Sequence, residues 1–304
     1  MRAEPLVAAA ATVLALAMGT ANASAYCRTS VCDGDTSQVC VPEPGGVDCG
    51  TPLFWASRCV SWSMQADASD QISLADATPI FAAAFANWAS APCAGGGTPS
   101  LVVTQLADVT CHQIEYNQDG GNANVIMFDD TTWPYAGTSA TLALTTVTYD
   151  LDTGEIYDAD MELNSSAVTF TTSTTGTVDF DLPSIAQHET GHFLGLAHSQ
   201  DTSATMYATY NEGDTSLRTI EPDDIDAICA AYPPGATPDA TCDTTPRHGF
   251  SAICGGTDVS DSSSGCAASP GPISGAGALA AAWAALAVVA RRRRARAGGA
   301  RAAR

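Results

Sequence analysis

His188, Glu189, His192 and His198 lie within the eleven residues HETGHFLGLAH, which hold three of the chain's five histidines. Residues four apart share one face of a helix, so His188 and His192 can direct two imidazoles at one metal ion. Glu189 follows the first of them and points about a third of a turn away, towards a water on the metal instead of the metal itself. Gly195, three residues past His192, can take a positive φ and end the helix. The chain can then turn and bring in His198 as a third ligand. Three neutral nitrogens leave zinc one open position for water. Zinc lowers the pKa of such a water to about 7 and polarises a carbonyl. Glu189 can take the water's proton as it attacks and pass it to a leaving amine. Hydrolysis of a peptide bond uses every one of these parts and needs no covalent nucleophile.

These residues need a helix, a turn and a supporting sheet. Asp181-Leu182-Pro183-Ser184 reads as the start of the histidine-bearing helix. Upstream, Val60, Trp62 and Met64 alternate like a half-buried strand. Thr78-Pro79 offers an N-cap and a first-turn proline, followed by a core stripe of Phe81, Phe85 and Trp88. Residues 101–106 and 125–128 read as short buried strands. Residues 142–149 and 156–163 read as two strands joined across Asp152-Thr153-Gly154. The second strand places Tyr157, Ala159, Met161 and Leu163 on one face. Asp158, Asp160 and Glu162 lie on the other, expected as a solvated face, with calcium binding as the alternative. Residues 221–232 form a closing amphipathic stretch with Ile225, Ile228 and Tyr232 on one side.

The ends read as addresses. Residues 1–25, with Arg2, an apolar run from Leu6 to Met18 and the ending Ala23-Ser24-Ala25, read as a secretory signal peptide cut before Tyr26. Eleven cysteines stand at 27, 32, 40, 49, 59, 93, 111, 229, 242, 254 and 266. Without Cys266 ten remain, an even number suited to disulfides in an oxidising compartment, with the pairing open. No C-x-x-C pair occurs, which argues against a cysteine-based zinc module. Residues 26–58 form a Cys-rich N-terminal segment ahead of the regular region, 59–233. After Pro233-Pro234, residues 234–265 read as a linker in which Cys242 and Cys254 can close a small loop. The tail, 266–304, joins Cys266, an apolar segment at 271–290 and the cluster Arg291 to Arg294. Its apolar segment is long enough to span a bilayer, with the basic flank on the cytoplasmic side. Between signal and tail there is no lysine, and four arginines face 32 acids, a net charge of −28. Such a surface repels nucleic-acid phosphate and can recruit calcium outside the cell.

H-E-x-x-H-x-x-G-x-x-H fixes five positions, and Met206 follows His198 by eight residues in Ala204-Thr205-Met206-Tyr207. With both features the segment resembles a metzincin metalloprotease. Ser199 after the third histidine, the eight-residue step and Tyr207 resemble the matrixin (matrix-metalloprotease-like) group. In astacins and serralysins a tyrosine two past the methionine can join the zinc; here Ala208 stands there. The resemblance spans 59–232 and implies an α+β fold, a metzincin-type catalytic domain. That domain has a twisted mixed sheet, a long N-terminal helix, an active-site helix and a C-terminal helix. It further implies one catalytic Zn2+ on His188, His192 and His198, Glu189 as general base and Met206 as an apolar floor. An edge strand, with 140–144 as candidate, would hold a protein or peptide substrate extended. The order of Cys266, apolar run and arginines resembles the C-terminal sorting tails of myxobacterial surface proteins. This implies processing near Cys266, with membrane contact only through the tail before its removal.

Two departures bear on these expectations. Animal matrixins hold a second, structural zinc with further histidines, but outside the cluster there are only His112 and His248, so that site is not expected. Asp48-Cys49-Gly50-Thr51-Pro52 echoes the latency motif P-R-C-G-x-P-D, yet lacks its arginine and carries Leu53 in place of its aspartate. A free Cys49 would also leave nine other cysteines, an odd number, so pairing is expected. The sequence thus leads to an exported zinc-dependent endopeptidase, secreted or held at the cell surface. Two alternatives stay open. One is a non-catalytic zinc-containing adhesion or binding module on the same fold, against which the intact Glu189 argues. The other is a zinc hydrolase of non-peptide substrates.

Overall fold

The computed structural model describes residues 25–31, 50–135, 141–172, 177–236, 242–256 and 287–291. Its elements run β1 (Cys27–Arg28), β2 (Cys59–Met64), α1 (Leu74–Ala89), β3 (Val102–Gln105), β4 (Val125–Phe128), β5 (Ala143–Tyr149) and β6 (Ile156–Leu163). They continue with β7 (Phe170–Thr171), β8 (Phe180–Asp181), α2 (Leu182–Phe193), β9 (Leu196–Ala197), α3 (Pro222–Ala231) and β10 (Ala287–Arg291). Five strands form a mixed sheet in the order β3-β2-β4-β6-β5, parallel except for β5, which runs antiparallel to β6. Residues 287–291 pair in parallel along the outer side of β5. This is the α+β architecture expected.

The β5–β6 hairpin follows from alternation plus a turn that glycine permits. Gly154 has φ +76°, and a Cβ there would lie 2.4 Å from the Pro52 carbonyl oxygen. On one face of the sheet, Val60, Trp62, Met64, Ile126, Ala159, Met161 and Leu163 join the main core with α1 and α2. Helix α1 begins a full turn before the expected Thr78-Pro79. The Ser73 hydroxyl accepts the Asp76 N–H and donates to the Asp76 carboxylate, a reciprocal cap. Starting there buries Ala77 as well as Phe81, Phe85 and Trp88, so Pro79 sits inside the helix at the cost of one backbone hydrogen bond.

The other face is covered too, and this overturns three expectations. A second cluster of Val109, Ala123, Val125 and Met127 lies there. Residues 242–256 are tied across the domain by Cys59–Cys242 and Cys111–Cys254, so the expected Cys242–Cys254 loop is not formed. A third disulfide, Cys93–Cys229, joins the segment after α1 to α3. Strand β2 is consequently buried along its whole length, on both faces. Asp158, Asp160 and Glu162 are buried instead of solvated. Asp160 is compensated by N–H donors from Val125 and Glu115, and Glu162 by the Tyr135 hydroxyl. Expected as a buried strand, β3 is instead outermost beyond β2 and half-exposed, with Val102 39% accessible. Because Cys111–Cys254 closes a loop of 143 residues, Cys111→Ser/Cys254→Ser should lower stability by about 2–5 kcal/mol in urea unfolding. An unchanged midpoint would show that this link contributes nothing.

Residues 1–24, Cys49, Cys266 and most of the apolar tail segment lie outside the described residues. Of that segment the structure describes 287–290, in a strand that runs on to Arg291. No helix among the described residues is long and apolar enough to cross a membrane.

Candidate metal centre

Helix α2 begins at Asp181, whose carboxylate accepts the Ser184 N–H, with Pro183 in the first turn. From Ser184 to Phe193 every residue is buried, so the fold holds this helix on all sides. It ends at Phe193, and Gly195, just past its C-cap Leu194, has the positive φ expected, +88°. A Cβ at that position would lie 2.7 Å from the Leu53 carbonyl oxygen, so space as well as conformation demands glycine. The returning chain, β9, pairs antiparallel with β1, and Thr29 N–H donates to the Gly195 carbonyl. The N-terminal segment thereby aims the chain that carries His198.

The three sequence-selected histidines come together. Nε2 of His192 lies 3.0 Å from Nε2 of His188 and 3.2 Å from Nε2 of His198. His188 Nδ1 lies 2.6 Å from the Thr205 carbonyl, and His192 Nδ1 2.9 Å from the Leu196 carbonyl. A carbonyl can only accept, so both Nδ1 atoms carry the proton and both Nε2 atoms present lone pairs. Burial pushes the His188 imidazole down to about 4 and that of His198 to about 3, and lowers His192 as well, so all three are neutral at physiological pH. Neutral imidazoles whose lone pairs converge repel one another unless a cation sits among them. The donor set therefore fits a divalent metal, and two of the three rings are already oriented by second partners.

Glu189, next to His188 in α2, is buried. Its Oε2 accepts the Thr145 hydroxyl of β5, and its Oε1 has no partner. Burial pushes the carboxyl up to about 8; a cation among the histidines would oppose that shift. Met206 is buried against α2, where a Cβ added to Gly191 would lie 2.3 Å from its sulfur and 3.0 Å from the Trp88 ring. Alanine normally stabilises a helix interior by roughly 0.5–1 kcal/mol over glycine. Here the clash should reverse the sign, and Gly191→Ala should cost about 1–3 kcal/mol by denaturant unfolding. A stabilised variant would contradict this contact.

Sequence reasoning missed Thr145 and Asp224. The Asp224 carboxylate accepts the N–H groups of Thr205, Met206 and Glu221, fastening the turn under the histidines to the start of α3. Its signal was the acidic pair Asp223-Asp224 opening an amphipathic stretch; Thr145 gave none. The two other histidines lie apart from the cluster's contacts, His112 against Asp129 and His248 against Tyr116.

The family described as Matrixin matches residues 54–233. Interstitial collagenase of Bos taurus is 49% identical over 61 residues, 20% of this chain and 12% of that protein. Neutrophil collagenase of Homo sapiens is 42% identical over 77 residues, 25% of this chain and 16% of that protein. Matrix metalloproteinase-20 of Homo sapiens is 48% identical over 61 residues, covering 20% and 13%. The chain thus spans between about an eighth and a sixth of the length of these relatives.

Proposed function

Because the chain belongs to the matrixin family, we propose that it is an exported zinc-dependent endopeptidase whose His188, His192 and His198 hold one zinc ion and whose Glu189 is the general base. One observation carries this reading: three neutral imidazoles converge, and the carboxylate that follows the first of them in the helix holds a buried oxygen with no partner. Zinc bound there supplies a Lewis acid for a peptide carbonyl and for the attacking water. Glu189 takes the water's proton on Oε1 while Thr145 steadies Oε2, and it delivers that proton to the departing nitrogen. Met206, packed on Gly191, keeps the turn of α2 that bears the histidines in place. An extended peptide would lie along β5, and the pairing of 287–291 there supports that strand's capacity to accept another.

The disulfides Cys59–Cys242, Cys93–Cys229 and Cys111–Cys254 agree with an extracellular setting. In this reading the signal peptide, 1–25, exports the chain. A tail from Cys266 presents the catalytic domain, 59–233, at the cell surface until processing removes it. Two of the relatives are named collagenases; for this chain the proposal extends to peptide bonds of a protein or peptide substrate, with no sequence preference assigned.

The test is metal analysis of the exported protein together with assays on an unstructured protein and on small esters. One zinc per chain with internal cleavage of the polypeptide is expected. Zinc without cleavage would leave a binding module, and turnover of esters alone would mark a different hydrolase.

A further inference from the structure

Arg218 binds the residue that caps the histidine-bearing helix. The Asp181 carboxylate is fully buried and accepts both the N–H and the hydroxyl of Ser184 through Oδ2. Arg218 grips it twice, with Nε donating to Oδ2 at 2.8 Å and a terminal NH2 to Oδ1. Among the described residues, this is the arginine paired with a buried carboxylate; the Arg247–Glu155 pair is exposed. Arg218 ends the short 3-10 turn Ser216–Arg218, in the irregular stretch between Met206 and α3.

That stretch has further ties to the same corner. Gly213 N–H donates to the Asp179 carbonyl at 2.7 Å. Asp181 N–H donates to the Tyr210 hydroxyl, and the Tyr210 ring packs 6.1 Å from that of Phe180. Next to Arg218, the Thr219 carbonyl accepts the Thr205 hydroxyl, and the Thr205 carbonyl accepts the His188 Nδ1 proton. Residues 207–221 therefore leave from beneath the histidines and are fastened back to the start of their helix. Strand β5 touches that helix through Thr145 and Glu189, and this stretch touches its start through Tyr210 and Arg218, with Thr205 just ahead of it against His188. On the endopeptidase reading, a peptide laid over the histidines would lie between the two.

We infer that Arg218 is a positioning residue for peptide binding: its bidentate grip on Asp181 fixes residues 207–221 against the histidine-bearing helix, where they form one wall of the cleft. This rests on the endopeptidase reading and deepens it. The planar guanidinium spans both carboxylate oxygens at once, whereas a lysine ammonium supplies a point charge and cannot reproduce that fork.

The experiment uses the full-length zinc-loaded protein with Arg218→Gln and Arg218→Lys, peptide kinetics, zinc content and amide hydrogen exchange. Arg218→Gln should raise KM about fivefold with kcat and zinc content unchanged, the signature of lost uniform binding. Arg218→Lys should give the smaller rise. Exchange should quicken at residues 208–217 and stay unchanged in β4 and β6. An unaltered KM, or a joint fall of kcat and zinc content, would overturn the inference. Should Arg218→Gln not fold, Arg218→Lys carries the same comparison. A wild-type protein that cleaves no peptide would defeat the endopeptidase reading by itself. Unchanged exchange at 208–217 in the variants would defeat the positioning role whatever the activity.

Discussion

Glu189→Gln should reduce kcat/KM by about two to four powers of ten, the range that a positioned general base contributes. Zinc content and folding should not change. The reason lies in the two oxygens of this side chain. Oε2 is held by the Thr145 hydroxyl, a bond that the carbonyl oxygen of glutamine can accept equally well. Oε1 is buried without a partner, and the variant puts there an amide that cannot take a proton. The substitution is close to isosteric, so the core around α2 has no cavity to absorb. A variant within threefold of the wild type would remove Glu189 from the chemistry. A variant that lost its zinc would instead make the residue structural.

His192→Ala should abolish zinc binding, and it is the most informative of the three histidines. Its Nε2 lies within 3.2 Å of both other Nε2 atoms, so it closes the ligand set. Its Nδ1 proton also satisfies the Leu196 carbonyl, just before His198, so the loss also loosens the return of the chain. Thermal unfolding with and without a chelator measures this. At a free zinc concentration a thousand times its Kd, the wild type should gain about 4 kcal/mol of stability from the metal. Chelation removes that gain, so the wild-type midpoint should fall while that of His192→Ala stays where it is. A chelator shift of the same size in the variant would place the metal elsewhere.

The candidate site was legible in the sequence because its signals are local. Four-residue spacing put His188 and His192 on one helical face, and Gly195 supplied the positive φ that turns the chain toward His198. Asp181 was readable as a cap for the same reason, and the hairpin over Gly154 came from alternation and a turn. What stayed hidden depends on contacts distant in the chain. Thr145 reaches Glu189 from 44 residues away. The burial of Asp158, Asp160 and Glu162 depends on a covered second face, where residues 242–256 are tied down by cysteine pairings that spacing cannot reveal. Seen alone, a strand with three acids on one side reads as solvated. The start of α1 was misplaced because a proline with a preceding threonine gave a stronger local signal than the reciprocal Ser73–Asp76 cap.

The central claim is that one zinc ion on His188, His192 and His198 drives peptide hydrolysis, and zinc add-back tests it most directly. The exported protein is stripped with a chelator, returned to one equivalent of zinc, and assayed on an unstructured polypeptide at each stage. The account predicts internal cleavage at the start, none after stripping, and full recovery with zinc. Cleavage that survives stripping, or a zinc-reloaded protein that leaves the polypeptide intact, would contradict it.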